Sequence, residues 1–245
     1  MKKKLMYLSL IILIPIYIII AIFSNTKQDI LIIGGNIYIE YNDKKYNIKN
    51  NYKNNPQLNY RKYKIYDGEK YIDGYIKFYK DDITGDTNGI IYNSTLDISN
   101  LSIPLLAYTG NINIDVADTV VTDKISDNDE IILKSKLTGI IDNIDDINFK
   151  KITVDLNNDN QNEYIYFIYK YDNNKIYNSI FMMDSNNRII DIVTNGEKNE
   201  EYNINYIVDV DMDGEYEIVL SSSYGYSLTN YEIYKLKNNK FEKLE

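Results

Sequence analysis

Two short segments of this chain carry oxygen-bearing side chains at the same spacing. The second segment, Asp209–Glu217, has acidic residues at its first, third, fifth, seventh and ninth positions and glycine at its sixth. The first segment, Asp155–Glu163, lies 54 residues earlier and keeps carboxylates at positions one, five and nine. Alternate residues of a tight loop point to the same side, so these oxygens are expected to converge. Such a set suits Ca²⁺, which takes roughly six to eight oxygen ligands.

The spacing assigns a role to each loop position. Positions one, three, five and nine would bind Ca²⁺ through side chains, and position seven through its backbone carbonyl. Position six must turn sharply with positive φ, which favours Gly214 and is tolerated by Asn160. The predicted ligands are Asp209, Asp211, Asp213, Glu215 and Glu217 in the second loop and Asp155, Asn157, Asp159, Gln161 and Glu163 in the first.

The two loops are not expected to bind Ca²⁺ equally well. The second loop offers four side-chain carboxylates and the first offers three, so tighter binding is expected in the second. An ordinary metal-free turn is the alternative for each loop, because the chain is rich in asparagine. It is the weaker alternative for the second loop, where four crowded acids would repel one another without a cation. Neither loop is an EF-hand, which needs a glutamate at position twelve. That position holds Leu220 or Tyr166, and the flanking residues favour strands.

The elements around the loops also repeat. From residue 149 the order strand, acidic loop, strand, connection, strand, turn, strand occurs twice. The turns are marked by Asn186-Asn187 and by Asn238-Asn239, which lie 52 residues apart. This order predicts two four-stranded antiparallel β-meanders over residues 149–245.

The loops with their strand flanks resemble the FG-GAP/VCBS-type repeats, the calcium-loop units of integrin-α-like β-propellers. In that family the loop acids bind Ca²⁺ and brace a propeller blade. The resemblance covers about residues 150–245 and implies two propeller-blade-like repeats. The second loop matches closely, whereas Asn157 and Asn160 replace an acid and a glycine in the first. The whole chain is also similar to exported proteins of low-GC Firmicutes.

The N-terminus predicts a membrane anchor. Lys2, Lys3 and Lys4 precede an uncharged run of 19 residues, 5–23. As a helix this run would span about 28 Å, close to the hydrocarbon thickness of a bilayer. The lysines favour a cytoplasmic segment 1–4 and an extracytoplasmic remainder, so a single-pass protein of the cell membrane is expected. The alternative is a cleaved signal peptide and a secreted protein, although bulky Phe23 fits a cleavage site poorly.

Residues 28–148 are predicted to form a β-rich extracytoplasmic region. Short alternating segments are separated by turn signals, including Asn42-Asp43-Lys44, Asp67-Gly68 and Asp73-Gly74. One soluble helix is expected over residues 126–137, because Ser126 can cap its N-terminus. The predicted fold class is therefore mostly β: a transmembrane helix followed by antiparallel meanders.

Composition limits the function. The net charge is −9, and histidine and cysteine are absent. Negative charge disfavours nucleic-acid binding. The missing residue types remove the usual general base, zinc ligands and disulfides. We therefore assign no catalytic residue and expect a non-enzymatic binding or adhesion module that contacts a protein or wall polymer. The alternatives are an envelope hydrolase acting through carboxylates, which raised-pKa carboxylates away from the loops would favour, and a structural accessory of a membrane complex.

Overall fold

The structure is a computed structural model of the chain. It describes residues 29–244 except 35–36, 43–44, 51–57, 59–60, 81–86, 93–104, 111, 141–143, 173–174, 185, 195–199 and 225–229. The predicted cytoplasmic and membrane segments, 1–4 and 5–23, lie outside the described residues. Among those that are described, no helix combines the length and apolarity needed to cross a membrane.

The described part is mostly β, with antiparallel strands in three sheets and one α-helix, α1 (Asp127–Leu137). In chain order the strands are β1 (Asp29–Ile33), β2 (Ile37–Asn42), β3 (Lys45–Asn50), β4 (Lys62–Tyr66), β5 (Tyr71–Lys80), β6 (Thr87–Tyr92), β7 (Leu106–Thr109), β8 (Val120–Thr122), β9 (Asn148–Val154), β10 (Glu163–Asp172), β11 (Lys175–Met183), β12 (Ile189–Thr194), β13 (Glu200–Val208), β14 (Glu217–Tyr224), β15 (Asn230–Lys237) and β16 (Lys240–Lys243).

The first sheet has the order β3-β2-β1-β7-β4-β5-β6. Strand β1 lies inside this sheet, and after Asp29 it is an unbroken aliphatic run because both faces of the sheet are covered there. Leu31 and Ile33 pack on one side, and Ile30 and Ile32 on the other. Strand β7 lies between β1 and β4, so residues far apart in the chain complete this sheet.

One predicted turn in this sheet is wrong. Asp73-Gly74 lies inside β5, where Gly74 pairs with Tyr63 of β4. The Asp73 carboxylate is held by Lys62 and Lys64 across the ladder, at 2.6 and 2.8 Å. Opposite charges on neighbouring strands stabilise a pairing that the Asp-Gly dipeptide alone disfavours.

The helix begins where the sequence predicts. Ser126 Oγ accepts a hydrogen bond from the Asp129 amide at 3.1 Å, which satisfies one free N–H of the first turn. Leu133 and Leu137 are fully buried against the second sheet.

The second sheet has the order β12-β11-β10-β9-β8, and the third is β13-β14-β15-β16. The strands from β9 to β12 and from β13 to β16 thus form two antiparallel meanders, as expected. Strand β8, which precedes the predicted boundary at residue 149, adds a fifth strand to the first meander. Asn187, Asn238 and Asn239 have φ of 59°, 50° and 60°, so the predicted asparagine turns are confirmed.

The third sheet packs against the other two through opposite faces. In β14, Val219 joins a cluster with residues of the first sheet, whereas Ile218 and Leu220 join a cluster with residues of the second. The loop between β13 and β14 therefore lies where the three sheets meet. Segment 112–118 also reaches this place, because the Ala117 amide donates to the Ile207 carbonyl at 2.9 Å.

Candidate metal centre

The two acidic loops have the same backbone conformation. Position six has positive φ in both, 65° at Asn160 and 91° at Gly214, as the sequence predicts. Position four is also left-handed, with φ of 57° at Asn158 and 59° at Met212. Nothing in the residue type of Met212 indicates this, since side chains other than Gly, Asn and Asp rarely adopt it.

The residues at positions one and nine shape the second loop. Asp209 accepts hydrogen bonds from the amides of Asp213 at 3.2 Å and Gly214 at 3.0 Å. Glu217 Oε2 accepts one from the Val210 amide at 2.7 Å. These bonds fold the loop back on itself and satisfy backbone donors that the strands leave free.

The first loop repeats this scheme. Asp155 accepts from the amides of Asp159 at 3.0 Å and Asn160 at 2.7 Å, and Glu163 accepts from Leu156 at 2.8 Å. The shared conformation is therefore built by the protein's own hydrogen bonds.

The second loop brings three carboxylates together. Asp209, Asp211 and Glu217 each offer an oxygen, and these oxygens lie within 4.8 Å of one another. The Glu217 side chain is fully buried. Asp211 Oδ1 and Glu217 Oε1 are buried and accept no hydrogen bond, although Glu217 Oε1 lies 3.0 Å from the ammonium of Lys235. Asp213 and Glu215 lie outside this cluster and are exposed, although Asp213 Oδ1 accepts from the Glu215 amide at 3.0 Å.

Lys235 is part of the site and was not predicted. Its Nζ lies 2.8 Å from Asp211, 2.6 Å from Asp213 and 3.0 Å from Glu217. The contact with Glu217 lacks hydrogen-bond geometry. Ile218 of β14 pairs with Tyr234 of β15. Because the strands are antiparallel, the preceding residue, Glu217, lies across from the following one, Lys235. The sequence signal was weak: Lys235 follows buried Ile233 at a strand spacing of two, which indicates an inward position.

The charges of the cluster are only partly compensated. Burial raises the pKa of Glu217 to about 7 and also raises that of Asp209. At Asp213 burial acts to raise the pKa, but the hydrogen bond from Lys235 outweighs it and the pKa is lowered. At Lys235 burial acts to lower the pKa, but hydrogen bonds to the carboxylates outweigh it and the pKa is raised. One ammonium faces three carboxylates, of which Glu217 is fully buried and Asp211 is partly buried, and the remaining negative charge favours a further cation.

The first loop does not form such a cluster. Among the described residues, the acidic groups of the second loop alone converge closely enough to hold a metal. At position three, the Asn157 amide donates to Asp159 Oδ2 at 3.1 Å, and Gln161 is exposed. The register places Asp184 where the second loop has Lys235, and Asp184 bonds to Arg188 at 2.8 Å.

Contacts with all neighbouring parts hold the second loop in place. The Tyr41 hydroxyl of the first sheet donates to the Val210 carbonyl. Tyr216 donates through its hydroxyl to Asp115 at 2.9 Å and through its amide to the Leu156 carbonyl of the first loop at 2.7 Å. The second loop is therefore bonded to the first sheet, to segment 112–118 and to the first loop.

The donor set of the second loop fits Ca²⁺. Every candidate ligand is a hard oxygen, two buried oxygens are free of hydrogen bonds, and the cluster carries excess negative charge. Carboxylate and carbonyl oxygens suit Ca²⁺ and Mg²⁺, whereas zinc and copper prefer histidine or cysteine.

Comparison of the chain with protein-family models, curated proteins and solved structures returned no match.

Proposed function

We propose that this protein is a membrane-anchored, extracytoplasmic β module that is stabilised by Ca²⁺ and binds a protein or wall polymer without catalysis. The observation that carries the proposal is the convergence of Asp209, Asp211 and Glu217, whose oxygens lie within 4.8 Å of one another and include two buried oxygens that accept no hydrogen bond. Uncompensated carboxylates repel one another, and a divalent cation removes that cost.

The position of the second loop explains why a metal would stabilise the whole module. Val210 is bonded to the first sheet and Tyr216 to the first loop. A cation that fixes this loop would therefore fix the packing of all three sheets. In this proposal the meanders are FG-GAP/VCBS-like units, with the second loop as the stronger site.

The distribution of perturbed carboxylates supports binding over hydrolysis. The described carboxyl groups with raised pKa are Glu163, Asp209 and Glu217, and all three belong to the loops. Each is engaged by a backbone amide of its own loop. A hydrolase would place such groups where substrate can reach them.

The proposed location rests on the N-terminus. Lys2, Lys3 and Lys4 with the apolar run 5–23 favour a single-pass anchor. Outside the cell, Ca²⁺ is available at millimolar concentration, which suits a site that binds weakly.

Thermal unfolding of the full chain in detergent, with Ca²⁺ and with EGTA, tests the proposal. At free Ca²⁺ about 100 times Kd, linkage predicts stabilisation by about 3 kcal/mol. For a chain of this size that corresponds to roughly 6–12 °C in Tm. Unchanged unfolding at millimolar Ca²⁺ would refute the proposal.

Three variants locate the site. Asp211→Asn places in the second loop the residue type that the first loop has at position three, and it should abolish most of the Ca²⁺-dependent shift. Asp209→Asn should do the same, whereas its matched control Asp155→Asn should keep the shift. Loss of the shift in Asp155→Asn together with its retention in Asp209→Asn would reverse the ranking of the loops.

A further inference from the structure

We propose that Lys235 is a tethered cation that occupies the second loop without Ca²⁺ and is displaced when Ca²⁺ binds. This lysine would thereby set the Ca²⁺ concentration at which the site fills. The inference rests on the proposed function, because it concerns the regulation of the same site.

The geometry places the ammonium where a metal would bind. Lys235 Nζ lies 2.8 Å from Asp211 and 3.0 Å from Glu217, two of the three residues whose oxygens converge. The Lys235 side chain is 7% exposed. Glu217 is fully buried, and its Oε1 points to this place without accepting a hydrogen bond. Glu217 Oε1 is thus stabilised only by the nearby charge of Lys235, and direct coordination to a metal would stabilise it more.

The two cations cannot share the site. Ca²⁺ binds oxygen ligands at about 2.3–2.6 Å, and it would need Glu217 Oε1, which now faces the ammonium, together with an oxygen of Asp211. Lys235 and Ca²⁺ would then lie within a few ångströms of each other in a mostly buried place. At this separation two positive charges repel strongly, because little water remains between them to screen them.

Lys235 also has a way out. Its third partner, Asp213, has a side chain that is 47% exposed, so the cluster opens to solvent on the side of Asp213. Lysine carries its charge on a flexible four-carbon stem. Rotation of that stem would move Nζ into solvent while the strand β15 keeps its pairing.

The first loop provides an internal comparison. It has the same backbone conformation, but the register places Asp184 at the corresponding position. Asp184 is bonded to Arg188 of its own hairpin. The tethered cation therefore accompanies the loop that gathers carboxylates and is missing from the loop that does not.

Calorimetric titration of the full chain with CaCl₂ tests the inference. Lys235→Met removes the competing charge and keeps an unbranched side chain. We expect its Kd for Ca²⁺ to be at least about tenfold lower than that of the unmodified protein. The matched control is Lys237→Met, the same substitution at an exposed position two residues along β15, which should leave Kd unchanged.

A second measurement follows Lys235 directly and does not depend on a variant that folds. Amine acetylation read by mass spectrometry should modify Lys235 slowly in EGTA and much faster in Ca²⁺. Lys170 is also buried, at 5% exposure, and lies outside both loops, so its labelling should stay slow in both conditions.

The outcomes separate the two proposals. Tighter binding by Lys235→Met together with Ca²⁺-dependent labelling supports displacement. Equal Kd in both proteins, with Lys235 protected in Ca²⁺, overturns the inference and leaves the proposed function standing. Absence of Ca²⁺ binding in the unmodified protein and in Lys235→Met overturns both.

Discussion

Replacing Glu217 by alanine provides a quantitative test of how the second loop is held. Its carboxylate is fully buried, accepts a hydrogen bond from the Val210 amide at 2.7 Å and lies 3.0 Å from Lys235. The variant leaves a buried amide unsatisfied, which costs about 1–3 kcal/mol. It also removes one of three carboxylates facing a buried ammonium. Removing one partner of a buried pair costs about 3–5 kcal/mol. Because Lys235 keeps two other partners, we expect the lost ion pair to cost about 2 kcal/mol, and both losses together to cost about 3 kcal/mol.

The matched control is Glu163→Ala in the first loop. Glu163 accepts the equivalent hydrogen bond from Leu156 but is only half-buried and has no lysine across from it. Its removal should cost about 1 kcal/mol.

Urea unfolding in EGTA measures the free energy of unfolding of both full-length variants, and we expect the two values to differ by about 2 kcal/mol. In a thermal melt this difference would correspond to roughly 4–8 °C in Tm. In Ca²⁺ the gap should widen, because Glu217→Ala also removes a ligand of the proposed stronger Ca²⁺ site. Equal destabilisation of the two variants in both conditions would refute the assigned roles of Lys235 and the metal.

Two further predictions concern the helix cap and the loop backbone. Hydrogen bonds from Tyr166 and others outweigh the effect of burial and lower the pKa of Asp129, so its stabilising effect is present above its unfolded pKa and is lost as pH falls through the folded value. Asp129→Asn should therefore be destabilised by about 1–2 kcal/mol at pH 7. Its difference from the unmodified protein should shrink below pH 3.8. Urea unfolding at pH 7 and below pH 3.8 measures this difference, and an equal difference in both conditions would contradict the prediction. Gly214 has φ of 91° and open space where a Cβ would lie. Gly214→Ala should therefore cost about 1 kcal/mol through backbone strain alone, whereas Asn160→Gly should be neutral or stabilising. Thermal melts that rank these two variants in the opposite order would contradict the strain argument.

Local signals predicted the loops, the asparagine turns and the start of the helix. Each depends on a few neighbouring residues: Gly214 permits the left-handed turn, and Ser126 can satisfy the first helical amide whatever the rest of the chain does. The two meanders followed from the repeated order of such signals.

Features that depend on distant residues could not be predicted. Lys235 enters the site only through the pairing of β14 with β15, and Tyr41 only through the packing of the first sheet on the third. The turn expected at Asp73-Gly74 failed for the same reason, since lysines of β4 neutralise Asp73 across the ladder. Sequence spacing identified the carboxylates but not the cation that faces them.

One hydrophobic cluster joins residues from both ends of the described part of the chain. This arrangement constrains the order in which the protein can fold. Leu31 belongs to this cluster, and Leu244 packs against it. The full set of contacts in this cluster therefore cannot form before residue 244 has been synthesised, and contacts so distant in sequence form slowly.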